Sequence, residues 1–437
     1  MNIIAKIAAL KMFYLVYFLG LVLIGLPIVY VLLLAPGIDL AQNGQWAFFP
    51  LLMQRLWNGV DSFALMALPF FVLAGELMSA GGVTVRIVTF AETLIGHFRG
   101  GLGHVCVLAS VMLSGGSGSA VADASALGGM LIPAMRRMKY PDGISAAIIA
   151  SAGILAPIIP PSGLMIMYAF VENCSVAAMF AGGIIPGLMI AGGLMLVIAF
   201  RARSGVFPDP KPRASWAERG QAAKKAILPL GTPVILMGGI LGGIMTATEA
   251  AAIAAFYALL LGVFYTREIK PSHLPRIFAS SAIASAKILI LVGAAVAFAS
   301  VVSLRHTPQM LGSALVALTS DPHLLFLLVN VTLLLVGCIM DAGPTILILG
   351  PILAPAMEAV GIDPIHFGVV MVINLTIGLI TPPMGLVLFV TQGISGVSLD
   401  KLVKEMLPFF AVLAVLLCVF SYFPETVLFL PKAWGLM

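Results

Sequence analysis

Charge is what this chain has least of. Only 9% of its 437 residues are Asp, Glu, Lys or Arg, against roughly 25% in a soluble domain. With 61% hydrophobic residues and a mean hydropathy of +1.12, that scarcity excludes an ordinary water-soluble fold. Cysteine is scarcer still. Cys106, Cys174, Cys338 and Cys418 are scattered without metal or disulfide spacing, so they read as small apolar fillers. No Gly-Lys-Ser/Thr phosphate loop occurs, which speaks against nucleotide hydrolysis within the chain. No Gly-x-Ser-x-Gly frame surrounds Ser117 or Ser119, and His104 stands in no recognisable pairing with them, so an intramembrane enzyme is disfavoured. The net charge of +5 comes without a basic stripe of interleaved aromatics, so no nucleic-acid partner is expected.

What is present is a set of apolar runs well beyond ten residues, which means membrane-spanning helices and not barrel strands. The 45 glycines and 28 prolines suit membrane helices that pack closely and are often broken. One break is Ser114-Gly115-Gly116-Ser117-Gly118-Ser119, set between apolar runs. A second is Gly337-Cys338-Ile339-Met340-Asp341-Ala342-Gly343-Pro344. Leu131-Ile132-Pro133-Ala134-Met135 answers Leu353-Ala354-Pro355-Ala356-Met357, and Pro160-Pro161-Ser162-Gly163 answers Pro382-Pro383-Met384-Gly385. Both pairs sit at one offset, 353−131 = 382−160 = 222, so the chain looks duplicated.

The fold class that follows is an all-α polytopic membrane protein with two re-entrant helical hairpins and two broken helices. Residues 12–34 read as the first span, too long for a signal-peptide core and without a small-residue cleavage site. A polar stretch, 37–61, contains an amphipathic 46–57. Residues 62–78 are the second span, and 83–98 an interfacial helix. Segments 101–113 and 120–135 form the first hairpin. Segments 143–159 and 162–170 are half-helices about the hinge Pro160-Pro161, and 176–200 closes the half. Residues 201–225 are a hydrophilic linker, followed by spans 226–245, 250–265 and 279–302. A second interfacial stretch covers 308–318. Segments 323–337 and 344–357 form the second hairpin, 367–380 and 385–391 flank the hinge Pro382-Pro383, and 405–430 is the last span. The units are then 1–61 (scaffold helix and periplasmic stretch), 62–200 (first repeat), 201–225 (cytoplasmic linker), 226–278 (scaffold) and 279–437 (second repeat with the last span).

Lysine and arginine orient this layout. With Met1 in the cytoplasm, Lys6, Lys11, Arg86, Arg99, Arg136, Arg137, Lys139, the basic residues of 201–225, Arg267, Lys270, Arg276, Lys401 and Lys404 fall inside. Arg55, Arg305 and Lys432 fall outside, so the C-terminus is periplasmic, while Lys287 is left within a helix to snorkel inward. The hairpins then enter from opposite faces, the inverted-repeat plan of secondary transporters.

Broken helices survive in lipid only where protein, water or ligand satisfies their backbone. Helix N-termini at a break suit a carboxylate, and C-terminal carbonyls suit a sodium ion. Ser117, Ser119, Ser162 and Asp341 are the candidate substrate-binding residues. Ser114, Gly337, Asp341, Thr376 and Thr381 are the candidate sodium ligands, hard oxygen donors without a cluster of acids. Asp341 is expected to hold an ion or orient the hairpin, because two bare carboxylates repel at low dielectric. Asp123 fits capping or ligand contact equally. Glu76 and Glu249 read as structural caps or pairs.

The stretches Pro69-Phe70-Phe71-Val72-Leu73-Ala74-Gly75-Glu76, 114–128, Ala156-Pro157-Ile158-Ile159-Pro160-Pro161-Ser162, Thr246-Ala247-Thr248-Glu249-Ala250 and Gly378-Leu379-Ile380-Thr381-Pro382-Pro383-Met384-Gly385 carry a resemblance. Together they resemble the large membrane subunit (M, DctM-like) of the tripartite ATP-independent periplasmic (TRAP) transporters, over nearly the whole chain. The resemblance implies an elevator, in which hairpins and broken helices move against a fixed scaffold. It implies symport of a small organic acid, such as a C4-dicarboxylate or sialic acid, with Na+ as coupling ion. It further implies a small four-helix membrane subunit, a periplasmic substrate-binding protein, and residence in the lipid bilayer of a bacterial inner membrane. The alternative is a stand-alone sodium/carboxylate symporter of similar inverted-repeat fold.

Overall fold

A computed structural model describes residues 13–307, 310 and 321–437, and among them the chain is helical with no strand. The first half runs α1 (Phe13–Leu23), α2 (Ile28–Gln42), α3 (Phe49–Val60), α4 (Ala67–Ala80), α5 (Val83–Ile95), α6 (Gly101–Ser117), α7 (Ala120–Arg137), α8 (Asp142–Gly153), α9 (Gly163–Val171) and α10 (Val176–Arg203). The second runs α11 (Trp216–Ile227), α12 (Gly231–Leu241), α13 (Ala247–Leu260), α14 (Leu274–Leu304), α15 (Pro322–Gly337), α16 (Ala342–Glu358), α17 (Pro364–Gly378), α18 (Leu386–Ser395), α19 (Leu399–Tyr422) and α20 (Glu425–Ala433).

The duplication is visible in where helices begin. The starts of α7 and α16 differ by 342−120 = 222, and those of α8 and α17 by 364−142 = 222. Every residue of α8 after Asp142 and every residue of α17 after Pro364 is buried, so these equivalent helices form the centre on which the hairpins rest. Asn374 on α17 donates to Asn330 Oδ1 on α15 at 2.8 Å, and Asn330 donates to Ser421 Oγ on α19 at 2.8 Å. Hydrogen-bonding polar groups to one another lowers the cost of burying them, although Asn374 Oδ1 is buried with no hydrogen-bond partner among the described residues.

Contacts at the two ends show that the hairpins enter from opposite sides. Arg136, at the base of α6–α7, donates to Ser395 O, and Arg201 pairs with Glu405 near the start of α19. At the far end of α19, His323 rests on Tyr422, with ring centroids 5.5 Å apart, and so places the base of α15–α16 there. Tyr168 donates to Pro364 O at 2.9 Å at that same end. The 24 residues of α19 separate the two ends by roughly 36 Å.

Several sequence expectations need correction. Residues 12–34 do not form one span. Gly25, at φ 85°, and Pro27 end the first helix, and Tyr17 hydrogen-bonds Gln42. A continuous helix would hold those residues roughly 37 Å apart, so α1 folds back on α2 as a third hairpin. Phe13 thus lies at the same end as Gln42 and Arg305, and an expected cytoplasmic start rests on residues 1–12, outside the described set. The 37–61 stretch is not a polar loop. The end of α2 and α3 occupy most of it, and α3 packs along α14 where Gly59 meets Gly293 and Val296. The hydrophilic linker contains α11, opened by a capping box between Ser215 and Glu218. Arg219 donates to Thr93 O at 3.2 Å and Lys211 pairs with Glu92 at 2.6 Å, which strap the linker to α5. The last span starts earlier, at Leu399, and breaks before Pro424. The interfacial stretch expected at 308–318 lies outside the described residues.

The bend of 68° between α4 and α5 is the turn an interface-lying helix requires. Glu249 serves as the expected cap: its Oε2 accepts the Thr246 N–H at 2.8 Å while Thr246 Oγ1 accepts the Glu249 N–H at 3.3 Å.

Candidate functional site

The site begins from two helix starts. Ser119 opens α7 and its Oγ accepts the Ala122 N–H at 3.4 Å. Asp341 opens α16 and its Oδ1 accepts the Ala342 N–H at 2.8 Å. Their numbers differ by 341−119 = 222, so they are one position of the duplicated unit. Both use a side-chain oxygen to satisfy an N–H at the positive end of a helix dipole. One is neutral and the other is an acid.

Both helix starts line a single cleft of about 770 Å³. Gly118, Ser119 and Asp123 enter it from the first hairpin, and Pro157, Pro161 and Leu164 from the first break. Asp341, Gly343 and Pro344 enter from the second hairpin, and Leu379 and Leu386 from the second break. A Cβ built on Gly118 would lie 3.4 Å from Gly163 N, and one on Gly343 would lie 3.6 Å from Met167 Sδ, so each tip rests against the first broken helix. The fourth wall comes from α4 and α14, with Glu76 and Lys287. Glu76 accepts from Ser280 Oγ at 3.4 Å, which fits the pairing expected of it. Asp123 is 4% exposed in the first turn of α7.

The remaining candidates divide. Ser117 ends α6, and its side chain lies outside the described residues. Ser162 is fully buried and does not line the cleft; its hydroxyl donates to Pro157 O at 2.5 Å and accepts the Met165 N–H at 3.3 Å. The structure therefore gives Ser162 the task of holding the break closed and capping α9, where substrate contact was expected. Ser162→Ala is accordingly expected to lower stability by about 1 kcal/mol and to leave the KM for uptake unchanged. A raised KM with an unaltered unfolding temperature would return Ser162 to the substrate.

Ser114 Oγ donates to Val111 O at 2.7 Å, Thr376 Oγ1 to Ile373 O at 2.8 Å, and Thr381 Oγ1 to Ile377 O at 2.8 Å. Each hydroxyl proton is spent on its own helix, and of the expected sodium ligands only Asp341 lines the cleft; Ser114, Gly337, Thr376 and Thr381 do not. Gly337 has a packing role beyond any carbonyl contact. A Cβ on Gly378 would fall 2.5 Å from Gly337 C, so the two backbones touch. Cys338 O accepts the Gly385 N–H at 3.2 Å and ties the second tip to the second break. Pro160, Pro161, Pro382 and Pro383 lie in the turns between half-helices, as the hinge expectation places them. Among the described residues no three His, Cys, Asp or Glu side chains converge as a divalent site would require.

Sequence reasoning passed over Asp39, and it had Lys287 snorkelling inward where the structure sets it on the cleft wall. Asp39 is 1% exposed and accepts from Arg305 Nε at 3.0 Å and Nη2 at 2.6 Å. A lone acid at the end of an apolar run, matched by a lone arginine, was the available signal. For Lys287 only its depth in the helix was legible.

Residues 15–426 match the family described as "Tripartite ATP-independent periplasmic transporter, DctM component". The chain is 41% identical to the 2,3-diketo-L-gulonate TRAP transporter large permease protein of Escherichia coli, over 95% of this chain and 97% of that one. It is 38% identical to the sialic acid TRAP transporter large permease protein of Vibrio cholerae, over 95% and 96%. It is 38% identical to the C4-dicarboxylate TRAP transporter large permease protein of Pseudomonas aeruginosa, over 87% and 89%. Among solved structures, the YdaH transporter of Alcanivorax borkumensis aligns with a TM-score of 0.62 at 16% identity, covering 90% of each chain, a likeness of fold alone.

Proposed function

Since this chain belongs to the DctM-component family of the tripartite ATP-independent periplasmic transporters, we propose that it is the permease subunit through which a small organic acid is imported by sodium symport. The observation that carries this reading is the single cleft in which both hairpin tips, both broken helices and two capped helix starts converge. A carboxylate in that cleft meets helix N-termini, and Asp341 on its wall is the candidate ligand for a monovalent cation. The substrate class rests on relatives named for 2,3-diketo-L-gulonate, sialic acid and C4-dicarboxylates.

In this reading α6–α9 and α15–α18 travel as the transport domain, and α2–α4 with α13 and α14 stay as scaffold. A small four-helix membrane subunit broadens that scaffold, and a periplasmic binding protein delivers the acid. The protein spans the bilayer several times, and the bacterial inner membrane is its proposed place. The end bearing Arg136, Arg137, Arg201 and Arg203 faces the cytoplasm, which sets Lys432 outside.

Proteoliposomes holding this chain, its small subunit and the binding protein are expected to accumulate the acid on an inward sodium gradient. Equal uptake in choline and sodium buffers at matched potential would remove the sodium coupling. Full uptake without the binding protein would favour a stand-alone symporter.

A further inference from the structure

Lys287 is the one charged residue of α14 beyond Arg276. It lies 287−274 = 13 residues from one end of that helix and 304−287 = 17 from the other, or about 20 and 26 Å along the axis. That is mid-depth in a hydrocarbon core of roughly 30 Å. An ammonium there is costly unless it pairs or faces a polar cavity. Lys287 is exposed and lines the cleft, on the same helix face as Ala284, Ile288 and Leu291. Among the described residues it makes no hydrogen bond or ion pair. The other charged groups on the cleft wall are Glu76, Asp123 and Asp341, all acids. Glu76 is engaged by Ser280, and Asp341 by the Ala342 N–H.

We propose that Lys287 is the receptor for the substrate's carboxylate, presented by the scaffold to the two hairpin tips. An organic anion entering this cleft meets three groups of like charge and one of opposite charge, and that one is the group without a partner. Helix N-termini would still orient the carboxylate, but they carry only partial charge. Because α14 lies outside both hairpin units, the contact depends on where the hairpins stand along it. The substrate is held at one position of the hairpins and relinquished at another. This inference rests on the organic-acid reading and adds to it the group that selects for negative charge.

The test uses the full chain with its small subunit and binding protein in proteoliposomes, with succinate, 2,3-diketo-L-gulonate and sialic acid as probes. Lys287→Gln keeps a polar hydrogen-bonding end, one atom shorter, and removes the charge. It is expected to raise the KM for the transported probe about ten-fold or more, the loss of one charge-assisted hydrogen bond, with the maximal rate little changed. Lys287→Arg should restore most of the affinity. Lys287→Met, which suits a lipid-facing helix, provides the same comparison if the glutamine variant does not accumulate. An unchanged KM in the neutral variants, or a fall in maximal rate alone, overturns the inference while leaving wild-type uptake, and so the functional reading, in place. Wild-type protein that carries none of the three probes would overturn the reading and the inference together.

Discussion

Asp39→Ala is expected to destabilise the protein by about 3–5 kcal/mol, the loss recorded when one partner of a buried ion pair is removed. Asp39 is 1% exposed, and the Arg305 side chain is 11% exposed. One carboxylate oxygen accepts two guanidinium N–H groups, at 3.0 and 2.6 Å, and the other accepts from Asn43 at 3.3 Å. Removing the acid leaves a guanidinium that cannot shed its proton wedged between α2 and the end of α14. The loss therefore measures an orphaned charge and not the worth of the pair. Replacing both, as Asp39→Leu with Arg305→Met, should recover most of the stability. Thermal unfolding in one detergent decides it: a single-variant loss below about 1 kcal/mol would match a solvated pair.

Asp341→Asn should abolish uptake or shift its sodium dependence strongly, with insertion and stability nearly intact. Asparagine caps a helix about as well as aspartate, so its Oδ1 can keep the Ala342 N–H now held at 2.8 Å. Only the charge changes. The equivalent position in the first repeat is the neutral Ser119, so the charge is not needed to start the helix. Its place on the cleft wall is the reason the charge is expected to act on ion and substrate. Sodium titration of uptake is the measurement. An asparagine variant with the wild-type sodium response and affinity would reduce Asp341 to a cap.

The parts of the site legible in the sequence were those that break a local rule twice. Small polar residues inside apolar runs, followed by Pro-Pro, recur at one offset, and the structure brings Ser119, Asp341 and both breaks to one cleft. What could not be read depends on partners distant in sequence. In the 12–34 run Gly25 and Pro27 marked a break, but that the chain turns back on itself there shows in the Tyr17–Gln42 bond. Asp39 looked like a loop residue because its arginine is 266 positions away. Ser162 showed a hydroxyl at a break, but whether it faces ligand or Pro157 is decided by the turn itself. Residues 215–218 were different. Ser-Trp-Ala-Glu is a capping-box signature, and α11 could have been read from it.

Gly337 and Gly378 meet with no side chain between them. Side chains are the compliant layer in most helix contacts, since they can change rotamer under load. Here that layer is missing, so a push on the tip of the second hairpin passes directly into α17. The Cys338–Gly385 hydrogen bond fastens the tip to the turn behind it. The corresponding positions of the first repeat, 337−222 = 115 and 378−222 = 156, hold Gly115 and Ala156. The alanine carries a methyl group where Gly378 has none, so the first repeat does not repeat the glycine pair that this backbone contact uses.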